Sequence, residues 1–264
     1  MHPLGILGCG WLGIPLGNYL QTLDYNIKGS RRSEAGVSTL KNKGIEGYRV
    51  ILGENQIKGI KSFIVNLETL IISIPPERRS KGEGYEKKIT NLLRNIESTT
   101  LKRLIFLSST SVYGSIGGTY DESSDVYPKT STAMALYNCE QLIINSHIPS
   151  IIIRLGGLIG EDRNPIFQLQ GKKIVNPQGR INFIHQQDAI KGISNLVLNS
   201  ELQGIFNLVA PHHPLRRKYY TYSAQKFGLP TPKFTSESPL IRIIKASKII
   251  ELTSFKYTVD NLLI

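Results

Sequence analysis

The residues with the clearest chemical potential stand near the start of the chain. Gly8-Cys9-Gly10-Trp11-Leu12-Gly13 spells G-x-G-x-x-G, directly after the apolar run 4–7 and before a stretch of helical spacing, 14–22. In that setting the glycines have separate tasks. Gly8 makes a tight turn, Gly10 lets backbone approach a pyrophosphate, and Gly13 lets helix and strand pack closely. The helix N-terminus brings free N–H groups and a partial positive charge to the phosphates, so the backbone at Trp11 and Leu12 joins the expected contacts. A dinucleotide is the expected ligand.

Cofactor choice is read at the end of the second strand. There an NAD site carries Asp or Glu for the ribose hydroxyls, about 20 residues past the loop. Here strand 26–28 runs into Gly29-Ser30-Arg31-Arg32, and Asp24 precedes the strand. A small residue, a hydroxyl and two guanidiniums suit a 2′-phosphate, which needs room and charged donors. Ser30, Arg31 and Arg32 therefore favour NADP(H), with NAD(H) as the alternative. Ser73 and Ser108 join the expected cofactor contacts.

These residues need a scaffold. Short apolar runs at 4–7, 26–28, 50–52, 70–74, 104–107 and 151–155 alternate with helical stretches, notably 85–96 and 133–145. Such alternation predicts parallel βαβ units buried on both faces. The expected fold is α/β, a Rossmann-like doubly wound parallel sheet with a small C-terminal α+β substrate lobe. Residues 1–155 form the dinucleotide-binding domain. Residues 156–264 form a substrate-covering lobe interwoven with it, with a loop at 156–165, strands at 182–184 and 205–209, and helices at 188–198 and 216–227.

Leu104-Ile-Phe-Leu-Ser-Ser-Thr-Ser-Val-Tyr-Gly114 resembles the strand-and-loop signature of the extended short-chain dehydrogenases/reductases, the NAD-dependent epimerase/dehydratase family. Asp121-Glu122, Arg154-Leu155-Gly156-Gly157-Leu158-Ile159-Gly160 and Asn182-Phe183-Ile184-His185-Gln186-Gln187-Asp188 resemble further pieces of it, and the likeness spans roughly residues 4–210. The tail around 210–214 and 226–230 looks like that of an atypical bacterial subgroup of nucleoside-diphosphate-sugar epimerases.

The resemblance implies a catalytic Ser and a Tyr-x-x-x-Lys pair, in which Tyr exchanges the proton and Lys lowers its pKa. Ser109 matches the Ser. Anchoring the next helix on Glu140-Gln141 puts Thr132 at the Tyr position and Leu136 at the Lys position, so both are missing. A second register uses Tyr137 and still lacks the Lys. A Thr hydroxyl is far too weakly acidic to replace a tuned Tyr. Tyr137 and Tyr113 are the nearby substitutes considered. Leu7 stands where extended members usually carry the first glycine of G-x-x-G-x-x-G. Arg163 lies on the loop with which the family covers its substrate, and Arg163 and Asn182 are the expected substrate contacts. His185 reads as a scaffold histidine, and His212-His213 lack the clustered partners of a metal site.

The chain has 264 residues, 40% hydrophobic and 20% charged, which excludes a disordered chain. Two cysteines, Cys9 and Cys139, cannot build a disulfide framework or a four-thiolate zinc site. With no signal-peptide pattern and no membrane-length apolar run, a cytoplasmic location is expected. The net charge of +12 raises nucleic acid as a partner. The cations are scattered, however, in groups such as Arg31-Arg32, Arg78-Arg79, Lys87-Lys88, Lys172-Lys173 and Arg216-Arg217-Lys218. Solvated surface charge is the first reading of them, small phosphorylated molecules the second and nucleic acid the third. The resemblance also makes a homodimer an expected arrangement. Three functions follow in order: an NADP(H)-dependent oxidoreductase or epimerase on a polar or nucleotide-linked substrate, a non-catalytic NADP(H)-binding sensor or scaffold, and a nucleic-acid binder.

Overall fold

The computed structural model describes residues 2–77, 81–97, 99–235 and 240–263, so the Arg78-Arg79 pair lies outside the described residues. Seven parallel strands form the central sheet: β1 (His2–Leu7), β2 (Tyr25–Arg31), β3 (Glu46–Arg49), β4 (Thr69–Ile72), β5 (Arg103–Ser109), β6 (Ser150–Leu155) and β7 (Gly204–Leu208). Their spatial order is β7-β6-β5-β4-β1-β2-β3. The order reverses between β1 and β4, which is the switch point where doubly wound sheets open a crevice for ligands.

Side chains along each strand divide between two apolar layers with period two. Leu70, Ile72, Leu104, Phe106 and Ile152 face one layer, with helices α3 (Tyr85–Ile96) and α4 (Ser131–Ile144) over them. Ile71, Ile105, Leu107, Ile151 and Ile153 face the other, under α1 (Gly13–Gln21) and α5 (Gln186–Leu198). Helix α3 shows why it docks. Its buried residues Tyr85, Ile89, Leu92 and Ile96 recur at helical spacing, forming one apolar stripe. A third cluster, including Ile159, Ile166, Ile174, Tyr219, Tyr220 and Ala224, is the core of the C-terminal lobe. Helix α6 (Arg216–Lys226) belongs to that lobe, whereas α5 and β7, which precede it in the chain, belong to the sheet layers.

Three elements differ from the sequence expectation. The third strand is Glu46–Arg49, not 50–52, and Ile51–Leu52 instead pairs in an antiparallel hairpin with Ile57–Lys58. The strand sits at the sheet edge and none of its four residues is buried, so it lacks the apolar run of an interior strand. A helix between β2 and β3, α2 (Glu34–Asn42), was not signalled because its only buried residues are Gly36, Val37 and Leu40. Gly157–Ile159, read as loop, is a strand that pairs in parallel with Phe183–His185 in a separate two-stranded sheet.

Candidate functional site

Gly8 adopts φ +91°, the left-handed region that favours glycine, and a Cβ there would lie 2.6 Å from Ile74 Cγ1. The turn is fixed from β2. Gly8 N–H donates to Ser30 Oγ at 3.0 Å, and Cys9 N–H donates to Ser30 O at 2.9 Å. A Cβ on Gly10 would meet only ordinary contacts, 3.4 Å to Arg31 Nη1 and 3.9 Å to Gly8 O, and Gly10 lines the cleft beside the loop. A Cβ on Gly13 would press on Ile6 and Cys9 at 3.2–3.3 Å, which is the close helix–strand contact expected of it. Among the described residues no acceptor meets the Trp11 and Leu12 N–H groups. Leu7 is fully buried in the core, so the turn begins one residue later than in the G-x-x-G-x-x-G pattern.

Beside the loop lies a cleft of about 830 Å³, bounded by the glycine turn, the end of β2, the 73–77 segment and the first turn of α3. This is the size of a small-molecule site. Gly8, Gly10, Ser30, Arg31, Arg32 and Ser73 all line it. Arg31 lies along the loop, its Nη1 donating to Cys9 O at 3.2 Å. Gly36 makes room for this guanidinium, since a Cβ there would sit 2.9 Å from Arg31 Nε. Arg32 reaches outward to Glu77. Tyr85 closes the floor, its hydroxyl donating to Ile74 O at 2.6 Å. Glu77, Tyr85 and Lys88 line the cleft but escaped the sequence reading. They lie more than 40 residues past β2, beyond the reach of a glycine-motif argument. The open turn, the unmet N–H groups and the cationic wall fit a dinucleotide.

Several expected contacts are engaged elsewhere. Ser30 lines the cleft but is buried, and its hydroxyl accepts from Gly8 N–H, so it holds the turn. Ser108 is also buried and donates to Glu140 Oε1 at 2.5 Å. Cys9 is inert, because burial pushes its thiol up to about 12 despite the opposing pull of Arg31.

The end of β5 carries the residues matched to catalysis. Ser109 is partly exposed, and its Oγ accepts from Ser111 N–H at 3.1 Å. Tyr113 is fully buried and cannot meet a substrate. Its hydroxyl donates to Asn207 Oδ1 at 2.9 Å, and Arg154 lies 4.8 Å above its ring. Burial raises its pKa, against the opposing charge of Arg154. Tyr137 is half-buried and packs on the α3–α4 apolar layer. Leu136 belongs to that same layer.

Glu140 organises this region. It is 0% exposed and takes Arg154 through Nη2–Oε2 at 2.7 Å and through Nε at 3.2 Å to each oxygen. Burial alone would lower the Arg154 pKa, but the hydrogen bond and charge of Glu140 leave it raised. Asn182, expected at the substrate, clasps a lobe strand instead. Its Oδ1 accepts from Ile244 N–H at 2.8 Å and its Nδ2 donates to Arg242 O at 2.9 Å. Arg163 is exposed and lies 4.8 Å above the Trp11 ring, whose Nε1 donates to Asp162 at 2.8 Å. The loop that carries Asp162 and Arg163 therefore sits on the glycine loop.

His185 caps α5 by accepting from Gln187 N–H at 3.3 Å, and His212 accepts from Leu262 N–H at 3.1 Å. Among the described residues no group of three or more His, Cys, Asp or Glu could hold a metal, and no helix is long and apolar enough to cross a membrane.

The sheet order, the switch-point cleft and the glycine turn define the fold of the NAD-dependent epimerases and dehydratases. UDP-glucuronic acid 4-epimerase from Bacillus cereus, solved in complex with NAD, superposes with TM-score 0.80 at 18% identity, over 99% of this chain and 94% of that one. UDP-glucose 4-epimerase from Thermus thermophilus, also in complex with NAD, gives TM-score 0.80 at 14% identity over 98% and 95%. No family model matches the chain. Protein YeeZ of Escherichia coli (strain K12) is 30% identical over 263 residues, covering 97% of this chain and 96% of its own length, and the chain belongs to the YeeZ family.

Proposed function

We propose that the protein binds NADP(H) in the switch-point cleft and works as an oxidoreductase or epimerase on a polar or nucleotide-linked substrate, without a Tyr-x-x-x-Lys relay. The observation that carries this reading is the cleft wall. An open glycine turn stands beside Arg31 and Arg32, and no carboxylate lies at the end of β2. The NAD bound by the two structurally similar epimerases supports a nicotinamide dinucleotide here. The backbone N–H groups of Trp11 and Leu12 would hold the pyrophosphate, and Arg31 and Arg32 would take the 2′-phosphate. Bound there, the cofactor supplies hydride transfer, while the protein orients it and manages a proton. The proton then falls to the Ser109 hydroxyl, to a substrate group or to water.

A second reading, a non-catalytic NADP(H) sensor, is favoured by one specific observation. Glu140 anchors α4 to the sheet, and in the register it defines a buried Leu136 replaces the catalytic cation. Titration calorimetry with NADPH, NADP, NADH and NAD tests the shared step. Preference for the phosphorylated pair, lost in Arg31→Ala/Arg32→Ala, is expected, and no binding by any of the four overturns both readings. A panel of sugar nucleotides and carbonyls then separates them. NADPH turnover slowed by Ser109→Ala marks the enzyme, and absence of turnover marks the sensor.

A further inference from the structure

Over the mouth of the cleft, three charged side chains from three separate elements meet. Arg32 follows β2, Glu77 ends the segment after β4, and Lys88 lies in the first turn of α3. The two cations share one oxygen. Arg32 Nη1 lies 3.2 Å and Lys88 Nζ 3.5 Å from Glu77 Oε1. All three line the same cleft as the glycine turn, and Arg31 stands on its other side. Among the described residues the wall thus carries three cations and one carboxylate. Lys88 is the most enclosed of the meeting trio, its side chain 22% exposed against 79% for Arg32 and 51% for Glu77.

We infer that this trio is a phosphate-selective gate: Lys88 is a further cation for the cofactor 2′-phosphate, and Glu77 is an internal competitor that holds Arg32 and Lys88 until the phosphate displaces it. The inference rests on the NADP(H) reading above and assigns two residues that reading does not use.

A carboxylate brings one negative charge and two oxygens. A phosphate monoester brings about −1.5 to −2 and three strong acceptor oxygens, so it can satisfy a guanidinium and an ammonium together. The Arg32–Glu77 pair is exposed, and exposed ion pairs contribute little to stability, so Arg32 leaves Glu77 with a small loss. A dinucleotide without the 2′-phosphate offers only a hydroxyl, which cannot outcompete a carboxylate for two cations. Both cofactors therefore meet the same closed state, but only the phosphorylated one gains contacts on opening it. In this way the cleft can carry an acid near the ribose end and still select a phosphate.

The test uses fragments that isolate the ribose end: adenosine 2′,5′-bisphosphate and 5′-AMP, titrated calorimetrically into the full chain. Glu77→Gln removes the competitor's charge and should tighten the bisphosphate roughly threefold to tenfold, leaving 5′-AMP within about twofold. Lys88→Ala should weaken the bisphosphate about tenfold and again spare 5′-AMP. Thermal melts of both variants check that they are folded, and Lys88→Arg should restore the phosphate preference. If Glu77→Gln instead weakens 5′-AMP, Glu77 is a ribose-hydroxyl acceptor and the gate is wrong. If wild type prefers the bisphosphate but neither variant alters that preference, the gate alone fails. If wild type binds the two fragments equally, the NADP(H) reading fails before the gate is reached.

Discussion

Two ends of one sheet treat polar side chains in opposite ways. Along the switch-point cleft, between β1, β2 and β4, charged groups line an open cavity. Arg32 is held by an exposed carboxylate, and Gly10 lines the same cavity. Along the strip from β5 to β7, polar groups turn inward. Ser108 and Arg154 close on Glu140, Tyr113 closes on Asn207, and Asn182 closes on the 242–244 backbone. The difference teaches how a binding site and a structural network are told apart when both are built from Ser, Tyr, Asn and Arg. In the first, the charged groups line a cavity, and the carboxylate that holds Arg32 and Lys88 is itself half-exposed. In the second, each donor already has a partner inside the protein. The comparison predicts a double dissociation: changes in the strip should cost stability and spare cofactor affinity, and changes in the cleft should do the reverse.

The largest effect should come from Glu140→Ala. It removes the carboxylate paired with Arg154 and leaves a buried guanidinium uncompensated, a loss of about 3–5 kcal/mol. Urea unfolding with a circular-dichroism readout measures it. Replacing the pair together, as Glu140→Gln/Arg154→Met, should recover much of that loss, because the uncompensated charge is gone. A single variant as stable as wild type would mean that the strip is not held together by its buried polar pairs, and the comparison would break.

Asn182→Ala ranks next. It deletes one acceptor and one donor that clasp the lobe strand, and it strands the Ile244 N–H in a buried setting. The expected loss is roughly 1–3 kcal/mol, with NADPH affinity unchanged. An affinity loss without a stability loss would return Asn182 to the ligand side of the comparison.

Legibility followed the same division. The glycine turn was readable because φ +91° at Gly8 and the close packing at Gly13 demand a residue type, and sequence displays residue types directly. The interior strands were readable because burial on both faces leaves apolar runs. The edge strand Glu46–Arg49 was not, since an edge needs no such run. Arg31 and Arg32 were placed correctly in the cleft because they close β2 and follow it directly. Glu77 and Lys88 could not be, because only the fold brings residues so much further along the chain to Arg32. The internal partners of Ser30, Ser108 and Asn182 were not legible for a different reason, although Ser30 does line the cleft. A hydroxyl or carboxamide at a strand end has the same local sequence whether it faces a ligand or a neighbouring backbone, and only the partner decides.

The smallest effect concerns pH and again separates the two ends. No histidine lines the cleft among the described residues, whereas His185 and His213 lie on the lobe side. Burial, the dominant cause, lowers the pKa of both below the usual imidazole value. In His213 a hydrogen bond with Ile181 O opposes burial without cancelling it. The unfolded chain therefore binds protons more readily than the folded one. The associated stability is fully present above the unfolded value of about 6.5 and is lost as pH falls from there through the lower folded value. Urea midpoints at pH 7.5, 6.5 and 5.5 should decline for wild type, and His213→Gln should flatten that decline. A decline equally steep in the variant would remove His213 from the account. Glu122, raised by burial, titrates in the opposite sense from a carboxylate's lower range. The comparison of wild type with His213→Gln across these three pH values cancels that contribution together with that of His185, and what remains reports His213 alone.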